Sequence, residues 1–430
     1  MPPKLTNSEP AQGLLSLVKS LLRRGSRSST WTWLFVAVGV LLRIAEYAGN
    51  REIYIDEASL LRNLVGRPIF DFVTPLTENQ LAPPGFLVIE RAMVRLPLGA
   101  VWAARLVPLL CGVASIFLMR SLARRFVSAR AVPIAMGLFA LNVWMLYYTT
   151  EIKQYSSDIC LTIVALLLAS APADLSRRRR FILGVFGVVG VWFSHPLALV
   201  LAVVGTYLAG AALVRRQWRT VATYAGWSSL WALSFVLCYK VSHQILTKDR
   251  FIWNWWDFAF LPIPPRSYAD LERLFWQVLN IFNNPAWLVT PLGVLGSAFV
   301  ALALYVIGAV SLGRRWRGGL YLLIGPLLLT LIASALHQYP FHGRLLLFLV
   351  PAIQLLVAEG VVAAAWPGGV FLTVVVGACL LAQPVGVTVW HEFVFKRLHH
   401  AYDSHGDLEP DLLDYLDRKA IANPSTRALP

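Results

Sequence analysis

Tyr54-Ile55-Asp56-Glu57 places two adjacent carboxylates a few residues past the end of the first membrane-length apolar run. An uncompensated carboxylate at a bilayer boundary is costly, so a pair held there needs a partner or a task. A carboxylate suits proton transfer, which makes Asp56 the candidate base. Near the other end of the chain, His342-Gly343-Arg344 offers a guanidinium able to grip an oxyanion in a fork. Between them, Glu151, Lys153, Tyr155 and Asp158 crowd one short polar segment. Lys153 would serve as a point charge, and Tyr155 or His342 as hydrogen-bond donors. Together these residues suit abstraction of a hydroxyl proton beside a cation-stabilised leaving phosphate.

Each residue also has a plainer reading. Asp56 and Glu57 can cap a following helix, whose N-terminus favours negative charge. Glu151, Lys153 and Asp158 can form a structural ion-pair knot, and Arg344 can be a snorkelling anchor. His195, before Pro196, suits a hydrogen-bonded turn. Glu359, inside an apolar run, suits pairing within a bundle or a proton relay. The spacing of His337 and His342 fits no common helical metal pair, so no metal is indicated, although the sequence leaves a divalent ion open.

The elements that must position these groups are membrane helices. Hydrophobic residues make up 57% of the chain and charged residues only 14%, where a soluble domain carries about 25%. Mean hydropathy is +0.61. The fold class is therefore all-α and integral to the membrane, and a soluble multi-domain protein is excluded. The net charge of +15 resides in short arginine clusters between apolar runs. These are Arg23/Arg24/Arg27, Arg120/Arg124/Arg125/Arg130, Arg177 to Arg180, Arg215/Arg216/Arg219 and Arg314/Arg315/Arg317. Such clusters mark cytoplasmic loops and argue against a nucleic-acid partner. Cys111, Cys160, Cys238 and Cys379 lie in apolar runs at unrelated spacings, which suits packing rather than a metal or disulfide framework.

With the arginines inside, about 11 spans follow, near 31–50, 105–123, 131–149, 155–172, 181–194, 196–214, 220–243, 287–312, 318–336, 344–364 and 368–390. Residues 1–30 form a cytoplasmic segment without an apolar signal core, so the first helix would direct insertion. Residues 31–390 form the transmembrane domain, and 391–430 an extracytoplasmic tail. Two long outer loops result, at about 51–104 and 244–286. The first includes a helical run, Phe86 to Leu98, too short to span, whose Glu90, Arg91 and Arg95 suit an interfacial amphipathic helix. The second is rich in tryptophan (Trp253, Trp255, Trp256, Trp276), as headgroup anchors or a cap over a lipid groove. Every candidate site residue falls on the outer side of this threading.

Glycosyl transfer from a lipid phosphate needs what this side provides: a carboxylate base, cations on the leaving phosphate and a groove for a polyprenyl tail. The motifs resemble a family with that activity, the GT-C fold membrane glycosyltransferases of the protein mannosyltransferase and lipid A aminoarabinose transferase branch (family 39-like). Tyr54 to Asn63 resembles its acidic first-loop motif, and Ala82-Pro83-Pro84-Gly85 the start of its interfacial helix. Tyr147 to Asp158 resembles the second-loop motif, and Tyr339 to Arg344 the late-loop motif.

The resemblance implies a multi-pass cell-membrane enzyme that takes a hexosyl or pentosyl unit from a polyprenyl-phosphate sugar, with inversion. Asp56 would be its base, and Glu57 would support it or orient the acceptor; Glu151, Lys153 and Tyr155 would contact the phosphate or sugar, and Arg344 the phosphate. Two departures stand out: Ala82 replaces a frequent His, and only about 40 polar residues follow the last span. The acceptor, whether lipid, glycan or protein, does not carry over. A lipid or solute transporter is the competing reading, but it would place polar residues near mid-bilayer on broken helices. A non-catalytic relative of the fold is the third.

Overall fold

The structure is a computed structural model that describes residues 30–71, 74–170, 175–243, 254–288 and 293–365, with Gly386. The described residues are helical and contain no strand. Seven of their helices are long and apolar enough to cross a membrane, among them Thr30–Gly49, Trp218–Ser242 and Gly293–Arg315. Helices Ala131–Ala140 and Tyr155–Ala169 are apolar but shorter. The chain is thus a polytopic helix bundle. The expected span at 368–390 and the tail at 391–430 lie outside the described residues, as do residues 1–29 and Trp253.

Arginines of three clusters, Arg125, Arg179 and Arg315, cover carbonyls at helix C-termini. Arg125 and Arg179 both donate to Leu167 O, at 2.8 and 2.6 Å. Arg315 donates to Phe126 O at 2.6 Å and pairs with Glu359 at 3.2 Å. Glu359 also accepts from Ser311 Oγ and Ser128 N, so it pairs within the bundle, as expected. Cations at helix C-termini oppose the negative end of the dipole and satisfy orphan carbonyls. Helices Gly293–Arg315 and Val350–Ala364 cross backbone to backbone at Gly308 and Gly360. A Cβ on either glycine would fall 1.9 Å from a carbonyl oxygen of the other helix, so only glycine fits.

Three expectations about elements need correction. The expected span 131–149 is two helices, Ala131–Ala140 and Val143–Tyr147, broken at Asn142. Asn142 Oδ1 caps the second piece by accepting from Met145 N, while its Nδ2 donates to Pro285 O and Ala286 O. A buried amide that satisfies its own bonds interrupts the helix without lowering the hydropathy of the run. The span expected at 344–364 is present as Gly343–Ala364, but it opens as a 3-10 stretch, Gly343–Leu349, before the α-helix Val350–Ala364. The short loop helix is Pro84–Met93, and it buries Glu90 and Arg91 rather than presenting them at an interface. The cause is a second core, in which Leu60, Leu61 and Leu64 of helix Ile55–Val65 pack on Phe86 and Leu87. Burial holds the Glu90 carboxyl well above its ordinary range.

Candidate active site

The first loop is pinned by Glu57. Tyr54 is extended and helix Ile55–Val65 starts behind it, so Asp56 and Glu57 occupy the first turn, where helix N–H groups favour anions. Glu57 is fully buried. Its Oε2 pairs with Arg51 at 2.8 Å and accepts from Tyr54 N at 3.2 Å. Its Oε1 accepts from Ile152 N at 3.0 Å and faces Arg105 Nη2 at 3.5 Å. Arg105 in turn donates to Asn50 Oδ1 and Arg51 O. One carboxylate therefore ties the first loop to the segment 151–153 and to the start of helix Leu106–Phe126. The helix-cap reading of Glu57 describes what it touches.

Asp56, one residue earlier, points the other way. Its Oδ2 meets Arg344 Nη2 at 2.7 Å, across 288 residues of sequence. The two side chains remain 32% and 26% exposed. Arg344 Nη1 also faces Glu151 Oε1 at 3.8 Å. The guanidinium lies 5.8 Å from the Tyr155 ring centroid and 5.9 Å from that of Trp256. Asp56, Arg344, Lys153, Tyr155 and Asp158 all line one cavity of about 720 Å³. Its polar part carries these groups, and Ala198, Leu199, Phe235 and Leu345 give it an apolar part.

The charges here are tuned by burial. Burial pushes the Glu151 carboxyl up to about 7, aided by Glu57 and opposed by Arg344. Burial lowers the Lys153 ammonium, opposed by Asp56 and Glu151. Lys153 Nζ is held by Gln80 Oε1 at 2.5 Å. Among the described residues it forms no ion pair with Glu151 or Asp158, so the three are not a salt-bridge knot. Asp158 lies in the cavity wall with a hydrogen bond from the Ser194 side chain. His195 is a bonded turn residue, Nε2 to Ser242 Oγ at 3.1 Å, and burial pushes it down to about 4.

The structure thus brings Asp56, Lys153, Tyr155, Asp158 and Arg344 to one cavity, with Glu151 buried beside Arg344 and Glu57 behind the wall. His342 stands apart. Its ring packs on Phe258 and Trp256, at 5.1 and 6.3 Å between centroids, and lines a neighbouring cavity. Burial, then Arg344, lowers its pKa. Three residues that touch the site carried no earlier assignment: Gln80, Arg51 and Arg105. Arg51 is five residues from Asp56, a spacing that could have flagged it; Gln80 had no signal. Trp256 sits over Arg344, which favours the cap reading of its loop. Among the described residues no three His, Cys, Asp or Glu side chains cluster as metal ligands. Asp56 faces a guanidinium and Glu57 is enclosed by arginines, a donor set that does not suit a cation.

No protein-family model matches the sequence, and no curated protein sequence matches it. Solved structures do resemble it. One is ArnT from Cupriavidus metallidurans bound to undecaprenyl phosphate, with 17% identity and a TM-score of 0.51, over 93% of this chain and 79% of that one. Another is the Archaeoglobus fulgidus oligosaccharyltransferase complex with Zn and sulfate, with 14% identity and a TM-score of 0.51. That match covers 84% of this chain and 53% of the archaeal enzyme, so the chain spans about half its length. Such a likeness is one of architecture, and with the helix bundle and its ordered loops it establishes that this chain has the GT-C fold.

Proposed function

We propose that this protein transfers a sugar from a polyprenyl-phosphate donor to an acceptor hydroxyl at the extracytoplasmic membrane face, with Asp56 as general base. The observation that carries the reading is the meeting of Asp56 and Arg344 at 2.7 Å in the wall of a half-apolar cavity. A base and an anion-binding cation lie side by side there, and a prenyl chain has apolar wall beside them. ArnT of the same fold was solved with undecaprenyl phosphate, which supports a donor of that class. Arg125 and Arg179 lie at the far end of helix Tyr155–Ala169, whose start lines the cavity, which by the positive-inside rule supports an outward-facing cavity.

In the resting site Asp56 is paired with Arg344. A donor phosphate competes for that guanidinium and, once bound, leaves the carboxylate free to accept a proton. The acceptor oxygen then forms its bond to the anomeric carbon as its proton passes to Asp56. The carbon–oxygen bond to phosphate breaks, and polyprenyl phosphate leaves with its charge on Arg344 and Lys153. Attack opposite the leaving group inverts the anomeric centre. Glu57, sealed behind the wall, orients Asp56 and touches no substrate.

The test is incubation of purified protein with a panel of polyprenyl-phosphate sugars and candidate acceptors, reading transfer to each acceptor. Transfer from at least one donor, lost in Asp56→Asn while polyprenyl phosphate still binds, is the expected result. Full turnover by Asp56→Asn would remove that residue as the base.

A further inference from the structure

Lys153 differs from the arginines around it. Arg344 is paired with Asp56, Arg51 and Arg105 with Glu57, and Arg62 with Glu78. Lys153 is held by a neutral oxygen instead, its Nζ donating to Gln80 Oε1 at 2.5 Å. Among the described residues that ammonium has no other hydrogen bond and no carboxylate within ion-pair distance. Lys153 and Gln80 both line the large cavity, the one of about 720 Å³.

Gln80 is itself fixed from two sides. Its Nε2 donates to Glu78 O at 3.1 Å, which turns its Oε1 to Lys153, and the residue is only 6% exposed. The turn that delivers it is unusual, since Glu78 and Asn79 both take left-handed φ, 60° and 54°, which side chains other than glycine seldom adopt. Helix Ile55–Val65 holds that turn. Asn63 Oδ1 accepts from Thr77 N and Oγ1, at 2.9 and 3.1 Å, and Arg62 grips both oxygens of Glu78. The helix that begins with Asp56 therefore also sets the acceptor for Lys153.

The type of residue at position 80 decides what Lys153 can do. A carboxylate there would hold the ammonium and cancel its charge. An aliphatic side chain would leave it buried without an acceptor, where burial favours the neutral amine. An amide oxygen supports the ammonium and leaves its charge and two N–H bonds for an incoming anion.

We propose that Gln80 is a positioning residue for the donor phosphate, presenting Lys153 in the cavity wall as the cation that needs no release from a carboxylate. This rests on the donor reading of the large cavity and deepens it. Arg344 must leave Asp56 before it can grip a phosphate, whereas Lys153 is ready in the resting site.

Titration of polyprenyl phosphate into the full chain in lipid nanodiscs tests this, with the unfolding temperature read on each variant. Lys153→Met should weaken binding about tenfold, the size of one charge-assisted contact. Gln80→Leu should weaken it about as much. The double variant should bind no more weakly than Lys153→Met alone, since Gln80 acts through that ammonium. Gln80→Glu separates position from charge: it offers Lys153 an oxygen in the same place and keeps the wild-type unfolding temperature, yet should bind about tenfold more weakly. A residue that merely braced the loop would leave Gln80→Glu with wild-type affinity, and that result would overturn the proposal. So would wild-type affinity in Gln80→Leu, or losses that add in the double variant. Should Gln80→Leu fail to fold, the Gln80→Glu titration decides alone. Failure of the donor reading looks different, because polyprenyl phosphate affinity would then ignore Arg344→Ala and Lys153→Met alike.

Discussion

Asp56→Asn should strengthen donor binding while it abolishes transfer. In the resting site Arg344 is held by Asp56 at 2.7 Å, and a phosphate must draw it away. Replacing the carboxylate by an amide removes that competitor, and it also removes an anion that would lie beside the phosphate. Both effects have the same sign. Two unit charges about 4 Å apart attract by about 1 kcal/mol in water and about 4 kcal/mol at an effective dielectric of 20. With the side chains 32% and 26% exposed, solvent screens the pair, and measured pairs of this kind fall near the lower figure. A gain of about 1 kcal/mol corresponds to about fivefold tighter binding of polyprenyl phosphate. Loss of the base should cost transfer about a hundredfold to ten-thousandfold. Binding can be titrated with polyprenyl phosphate itself in lipid nanodiscs at low ionic strength, before any donor sugar is known. A double variant, Asp56→Asn with Arg344→Gln, should erase the gain, since the competition exists only while the guanidinium does. Affinity unchanged or weakened in Asp56→Asn would refute the competition between carboxylate and phosphate.

Arg344→Ala should weaken polyprenyl phosphate about thirtyfold to a hundredfold, the worth of a charge-assisted hydrogen bond of about 2–3 kcal/mol; an unchanged affinity in the same titration would dismiss its phosphate role. Glu57→Gln leaves Arg105 buried without its counter-charge, so stability should fall by about 3 kcal/mol, read as a lower unfolding temperature. Glu151, pushed up to about 7, is neutral at lower pH and an anion beside Arg344 above it. Donor affinity should therefore decline as pH rises through about 7, and a titration series on Glu151→Gln should be flatter. Cysteine placed at Asn79, on the wall of the large cavity, should react with a membrane-impermeant thiol reagent added outside intact cells; labelling only after lysis would reverse the topology.

The sequence disclosed a polytopic helix bundle because arginine and hydropathy are global signals. Arg315 reaches Phe126 O, and Arg125 and Arg179 share Leu167 O, as clusters on one membrane side must if their helices pack. The meeting of Asp56 and Arg344 was legible for the same reason, since both fall at one depth. Local breaks were not. Asn142 sits in an apolar run, and its interruption of the helix depends on carbonyls of residues 285 and 286, which no window around residue 142 contains. Arg91 and Arg95 are one helical turn apart and share a face, but spacing does not say which face is inside. Here the neighbouring helix Ile55–Val65 supplies a core that a reading of the Pro84–Met93 stretch alone cannot anticipate. Gln80 belongs to no motif, and its role follows only from where the loop sets it against Lys153. His342 shared a motif with Arg344, yet the wall turns the two into different cavities.

The different fates of two adjacent acids follow from helix geometry. Successive side chains on an α-helix diverge by about 100°, so residues 56 and 57 cannot serve the same surface. Glu57 is enclosed by two arginines and two backbone N–H groups, a set that fixes the first turn relative to the segment carrying Glu151 and Lys153. With that turn fixed, the direction of Asp56 is set by the helix itself, toward the cavity and Arg344. A base needs an open face and a reversible partner, whereas a strut needs burial and complete pairing. Had the order been reversed, the buried position would have held the shorter side chain, too short by one methylene to span from the first turn to Ile152 N and both arginines. The order Asp-Glu rather than Glu-Asp is therefore a physical requirement of this site. Exchanging the two residues should cost stability as well as transfer, whereas Asp56→Asn should cost transfer alone.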